Sequence, residues 1–135
     1  RLQEIKSGKL KKLVGLNRLV CDGGHNTNSA IAIANWVKQQ NQDVHLIIGM
    51  MKDKDHFGFT KFFKDSVKSI TLIDIPNQSG SISKEELKKK LNGMKEKINL
   101  CNSIKESIKS INKYQNNICL VTGSLYLIGE VLNLN

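Results

Sequence analysis

Two unbroken apolar runs, Val44-His45-Leu46-Ile47-Ile48 and Ile118-Cys119-Leu120-Val121-Thr122, constrain this chain more than any other feature. Each is five residues long, too short for a core helix and without the polar alternation of a strand that faces water on one side. Such runs fit strands covered on both faces, which is the situation of a parallel sheet between two helical layers. Three further segments read as strands: Leu19 to Cys21, Ile70 to Ile75 stopped by Pro76, and the short Ile98-Asn99-Leu100. Helical periodicity fills the gaps between them. Residues 27–40 carry Ala30, Ile31, Ala34 and Val37 on one expected face, and a short helix bears Phe59, Phe62 and Phe63. Ser83 and Ser103 each begin an S-x-x-E capping box, and residues 125–132 form a last helix. Residues 1–14 are expected to form a β-hairpin turning at Ser7-Gly8. The fold class that follows is α/β: an open, mostly parallel, Rossmann-like sheet with helices on both faces and an N-terminal hairpin. The 135 residues amount to one domain, and no repeat or low-complexity linker divides them.

The formal net charge of +9 raises the question of nucleic acid. Nineteen of the 21 basic residues are Lys, and only Arg1 and Arg18 are Arg. The lysines between 84 and 113 alternate with apolar positions at helical spacing, the pattern of a solvated face. Aromatic residues make up 5% of the chain, too few for a stacking platform, so no nucleic-acid partner is expected. No apolar run reaches the roughly 20 residues of a membrane span, and no secretory leader is recognisable, so no membrane partner is expected either. Cys21, Cys101 and Cys119 are odd in number, widely spaced and partly within apolar runs. They read as reduced, mostly buried thiols suited to the cytoplasm. They share no ligand spacing with His25, His45 or His56, and no metal site is expected within the chain. His45 and His56 read as structural.

In a parallel sheet every strand-to-helix loop leaves by the same edge, where ligands bind. Three segments would meet there: Asp22-Gly23-Gly24-His25-Asn26, the stretch from Gly49 to Asp55, and Thr122-Gly123-Ser124. That edge would gather Asp22, His25, Asn26, Asp53, Lys54, Asp55, Thr122 and Ser124. Taken singly, each segment has a plain alternative. The first is equally a strand–helix turn capped by Asn26 or an anion cradle at a helix N-terminus. The second reads as a solvated loop with an Asp cap, and the third as a tight turn. Neither a G-x-G-x-x-G fingerprint nor a P-loop is present, so a Walker-type nucleotide site cannot be completed from this chain.

Together, the segments resemble a known family. Residues 22–26 resemble the D-G-A-H-N signature of folylpolyglutamate and dihydrofolate synthases of the Mur ligase family, with Gly24 in place of the alanine. Residues 48–55 are similar to that family's G-M-x-x-D-K-D segment, and residues 121–131 to its T-G-S-L-Y-L-x-G-E-V. Arg1-Leu2-Gln3 matches the end of its P-G-R-L-Q interdomain linker. Residues 83–117 match no signature.

The resemblance implies the C-terminal, glutamate-ligase domain of an ATP-dependent enzyme. Such an enzyme adds L-glutamate to dihydropteroate or folate through an acyl phosphate, in folate biosynthesis and one-carbon metabolism. It implies ATP contacts from Arg1, Asp22 and Asn26, a catalytic and glutamate-facing His25, and glutamate binding by Ser124. The magnesium ligands, the P-loop and most of the pterin site are expected in an N-terminal ATPase domain outside this chain. The isolated chain is accordingly expected to be inactive. The alternative is a stand-alone nucleotide- or anion-binding remnant of a truncated or split gene. Dihydrofolate synthase and polyglutamate synthase share these motifs and are not separated by them.

Overall fold

The computed structural model describes residues 2–91 and 93–135. Six strands form one sheet: β1 (Gln3–Ile5), β2 (Arg18–Asp22), β3 (Val44–Ile48), β4 (Ser69–Leu72), β5 (Ile98–Leu100) and β6 (Ile118–Thr122). Their spatial order is β1-β2-β6-β3-β4-β5. All neighbours run parallel except β1, which pairs antiparallel to β2 with Gln3 opposite Cys21. The two apolar runs of the sequence are β3 and β6, adjacent at the centre of the sheet and buried at every position.

Side chains alternate between two cores, as the period of two in a strand requires. Val20, Leu46, Ile48, Ile70, Leu72, Ile118 and Leu120 point to one face. They meet α2 (Thr27–Lys38), α3 (His56–Thr60) and α4 (Lys84–Lys90) through Ala30, Ile33, Phe59 and Leu87. Leu19, Cys21, Ile47, Ile73, Cys119 and Val121 point to the other face. There they meet α1 (Lys9–Leu13), α5 (Ile104–Lys109) and α6 (Leu125–Leu134) through Leu10, Ile104, Ile108, Leu127 and Val131. Both cores are continuous, which gives the sheet the two-sided cover that its sequence calls for.

The elements mostly begin where their caps predict. Ser83 Oγ accepts the Glu86 amide and Ser103 Oγ the Glu106 amide, the serine half of a capping box in each case. On α2 the buried stripe is Ala30, Ile33, Ala34 and Val37, and Ile31 is exposed. The i, i+3, i+4, i+7 spacing is satisfied by Ile33, so the expected face was displaced at that one position. β4 ends at Leu72 rather than Ile75. Beyond it Ile73 still donates to the Ile48 carbonyl, but Ile75 N turns to Ser81 Oγ, leaving the ladder ahead of Pro76.

The antiparallel N-terminal pairing exists, but its turn is not Ser7-Gly8 and residues 9–13 are not its second strand. They form α1, because Leu10, Leu13 and Val14 recur at i, i+3, i+4 and reach the second core on one helical face. Gly8 at the N-cap has no side chain to offer. The cap arrives from the far end of the chain instead. Asn135 Oδ1 accepts from Leu10 N at 3.0 Å, and the Asn135 backbone carbonyl accepts from Lys9 N at 3.2 Å. A cap donated across the whole chain has no local signal.

Candidate functional site

The chain leaves β2 toward α2 on one face of the sheet and leaves β6 toward α6 on the other. β2 and β6 are neighbours, with Asp22 in register with Thr122. Their following loops leave toward opposite faces, which makes the carboxyl ends of these two strands a topological switch point, the place where open α/β sheets take ligands.

The rim at this point is built by close backbone approach. Gly123 N donates to the Gly24 carbonyl at 3.0 Å, and Gly49 N reaches the Thr122 carbonyl at 3.4 Å. A Cβ at Gly23 would overlap Leu125, and one at Gly123 would overlap the Gly49 carbonyl oxygen. The glycines of all three motifs are thus interlocked, and a side chain at Gly23 or Gly123 would push the rim apart.

Asp22, the last residue of β2, is buried, and its Oδ1 accepts the Gly24 amide at 2.7 Å. It lines an open cleft of about 430 Å³ together with Leu2, Ser29, Ala32 and Ile33. One acidic acceptor set into an otherwise apolar wall suits a ligand with hydroxyl groups on an apolar body. Half-buried His25 places Nδ1 3.1 Å from the Gly23 carbonyl. A carbonyl only accepts, so Nδ1 carries the hydrogen and Nε2 is the ring's other face to the surroundings. Exposed Asn26 caps α2, its Oδ1 taking both the amide and the hydroxyl of Ser29 at 2.9 Å. Ser124 caps α6 by accepting Tyr126 N at 3.1 Å, and it is 2% exposed. Thr122 is buried with its hydroxyl 3.5 Å from the Gly24 carbonyl. Arg1, expected at the nucleotide, lies outside the described residues.

The third segment joins this rim only at its start. After Gly49 and Met50 it pairs with residues 80–82: Met51 bridges Ser81, Lys52 N donates to Gly80 O, and Ile82 N donates to Met50 O. Asp53, Lys54 and Asp55 are therefore carried along the same sheet edge toward α3 and α4. There Asp55 caps α3 through Gly58 N at 2.9 Å. The solvated-loop and cap reading of this stretch is the one that fits. His45 is fully buried among Ser69, Asn117 and Tyr114, and His56 binds the Met51 carbonyl through Nε2, both as structural groups.

Among the described residues no three His, Cys, Asp or Glu side chains cluster as a metal site, and no helix is long and apolar enough to cross a membrane. Motif reading missed Ser29, Ala32 and Ile33 in the cleft, and the one local signal there is Ser29 standing three residues after the cap Asn26. Leu2, Leu125 and Tyr126 lie within quoted motifs but were given no role; Leu125 (68% exposed) packs next to Gly23, and Tyr126 is 56% exposed.

Comparison with known proteins gives one family. The family described as dihydrofolate synthetase, C-terminal domain, matches residues 9–134. Solved structures with a similar fold include the folylpolyglutamate synthase of Mycobacterium tuberculosis complexed with ADP and AMPPCP, at 15% identity and a TM-score of 0.78. It covers 87% of this chain and 29% of its own. The folylpolyglutamate synthase of Thermotoga maritima aligns at 19% identity and a TM-score of 0.75, over 87% of this chain and 27% of its own. A bifunctional folylpolyglutamate/dihydrofolate synthase with manganese, AMPPNP and L-glutamate bound aligns at 18% identity and a TM-score of 0.71, over 88% of this chain and 29% of its own. The chain thus spans less than a third of each of these proteins. No curated protein sequence matches it.

Proposed function

The chain belongs to the dihydrofolate synthetase C-terminal domain family, and on that premise we propose that it is the C-terminal part of an ATP-dependent amide ligase joining L-glutamate to dihydropteroate or a folate. The observation that carries this reading is the rim at the carboxyl ends of β2 and β6, where the D-G-G-H-N and T-G-S segments interlock. In the proposed reaction the γ-phosphoryl group of ATP passes to the acceptor carboxylate, releasing ADP. The glutamate amine then attacks the acyl carbon, the amide bond forms, and inorganic phosphate leaves with the bond to phosphorus intact.

In this reading the 430 Å³ cleft beside Asp22 takes the nucleoside. The carboxylate accepts from ribose hydroxyls while Leu2, Ala32 and Ile33 meet the apolar body. Asn26, whose Oδ1 is committed to Ser29, would offer its Nδ2 to the nucleotide. Arg1 would reach phosphate oxygens with its guanidinium fork. His25, with Nδ1–H held by the Gly23 carbonyl, presents Nε2 toward the phosphate and glutamate region as the group that receives the amine proton. Ser124, its oxygen already accepting from Tyr126 N, would donate its hydroxyl hydrogen to the incoming glutamate. Magnesium is placed in this reading with the ATPase domain expected upstream, and none of these steps runs through it. That N-terminal domain of the same enzyme is the proposed partner. The exposed Leu125 and Tyr126 mark the side it would cover. Three unpaired thiols and dependence on ATP fit the cytoplasm.

The test is to supply the protein carrying this chain and its upstream sequence with ATP, labelled L-glutamate and, in parallel, dihydropteroate or tetrahydrofolate. ADP and labelled amide are expected in equal amounts with at least one acceptor, and none from the isolated chain. Glutamate-independent ADP release, or none with either acceptor, overturns the proposal. Nucleotide binding without turnover would instead favour the non-catalytic remnant.

A further inference from the structure

Gly24 stands where the resembling signature carries alanine, and the structure gives the exchange a consequence. Gly24 is not among the residues with positive φ, so its backbone would accept an L side chain and only space is at issue. A Cβ there would stand 2.7 Å from Ser29 Cβ, 2.9 Å from Asp22 Oδ1 and 3.1 Å from Ile33 Cδ1. Those three residues also line the cleft beside β2. The missing methyl therefore leaves open the corner between the acidic acceptor and the helix wall.

The three neighbours would not yield equally. Ser29 Cβ is fixed to α2, whose first turn is tied down by Asn26. Ile33 is 2% exposed and packed in the core. Asp22 Oδ1 is the end of a side chain, and turning it away from the methyl breaks the 2.7 Å bond from Gly24 N. An added methyl would accordingly move the carboxylate first.

We infer that Gly24 is a positioning residue for Asp22: by carrying no Cβ it lets the carboxylate fold back onto the Gly24 amide, and this sets the acceptor that selects a ribonucleoside in the cleft. The inference rests on the proposal that Asp22 meets the nucleotide, and it adds to that proposal what fixes the acceptor. In this chain the preference for a ribonucleoside depends on a glycine.

The experiment uses the enzyme carrying this chain and compares wild type, Gly24→Ala, Asp22→Ala and the double variant Gly24→Ala/Ser29→Gly, with ATP and with 2′-deoxy-ATP. Gly24→Ala is expected to raise the KM for ATP roughly tenfold, with a smaller change in kcat, and to narrow the preference for ATP over 2′-deoxy-ATP. Asp22→Ala is expected to do the same more strongly. Removing Ser29 Cβ lets the loop settle toward α2, so the double variant is expected to regain part of the ATP affinity. Thermal melts establish that each variant is folded. If Asp22→Ala shifts KM and Gly24→Ala leaves both KM and the nucleotide preference unchanged, the positioning role is overturned. If Asp22→Ala has no effect either, the nucleotide reading of the cleft fails with it. A Gly24→Ala protein that melts early and loses kcat and affinity together, without rescue by Ser29→Gly, shows a structural glycine and also overturns the inference.

Discussion

Gly123 is packed against the carbonyl of Gly49, backbone on backbone, so that the ends of the two central strands touch without any side chain between them. Gly123 has a φ of 117°, a conformation that side chains rarely adopt, and a Cβ would meet the Gly49 oxygen. Backbone strain and overlap act together here. Gly123→Ala is expected to lower stability by about 3 kcal/mol. Because Gly123 N also holds the Gly24 carbonyl, nucleotide affinity should fall as well. A urea unfolding curve and an ATP titration check the pair of effects. A stable variant with intact affinity would show that the rim tolerates being spread.

Asn17 joins three elements at the opposite end of the sheet. Its Nδ2 lies 2.9, 3.1 and 2.8 Å from the carbonyls of Val14, Ile111 and Tyr114, and its Oδ1 accepts Asn117 N at 2.9 Å. The residue is 2% exposed, so removing it leaves buried backbone groups without partners. Asn17→Ala is expected to cost about 3 kcal/mol in chemical denaturation. Asn17→Asp, which turns an anion toward three carbonyl oxygens, should cost at least as much at neutral pH.

His45 makes stability depend on pH. It is buried, stacked on Tyr114 at 4.3 Å, and accepts Asn117 Nδ2 through Nε2, so Nδ1–H donates to Ser69 Oγ at 2.7 Å. Burial lowers its pKa below the ordinary 6.5, with Lys113 and Lys68 adding to that effect and Asp43 opposing it. Below about pH 6.5 the unfolded chain takes up a proton that the folded chain refuses. The contribution is present above that pH and is lost as pH falls toward the lowered value. The melting temperature should therefore drop between pH 7 and pH 5, and His45→Gln should flatten the slope. An unchanged slope in that variant would assign the dependence elsewhere. Glu4 enters only lower down, because the Arg18 hydrogen bond holds its carboxyl below 4.5.

The thiols should differ in reactivity. Burial pushes Cys21 up to about 12 and raises Cys119 further, both within the sheet, whereas Cys101 is only half-buried and less raised. At pH 8 a disulfide reagent is expected to label Cys101 slowly and the other two only after unfolding. Peptide mapping after a timed exposure decides it. Rapid labelling of Cys21 or Cys119 in the native protein would mean that the sheet opens.

What the sequence could express was whatever repeats or caps locally. The unbroken apolar runs of the central strands, the serine caps at 83 and 103, and the last helix are near-neighbour properties, and each stands in the structure where the residues place it. The short strand at residues 98–100 was also legible. The N-terminal helix was legible only in the spacing of Leu10, Leu13 and Val14, because its cap comes from Asn135, which no local window contains.

The chain order determined which segments would lie at the carboxyl edge of the sheet, since parallel strands send all their outgoing loops to one side. It could not determine which loops touch. Only the insertion of β6 between β2 and β3 sets the T-G-S turn against the D-G-G-H-N loop, and only the pairing of Met51 with Ser81 draws Asp53, Lys54 and Asp55 away. Strand order and bridge pairing are long-range choices made by the packing of two cores. The motifs were therefore written in the sequence, and their division into a central rim and a lateral loop was made by the fold.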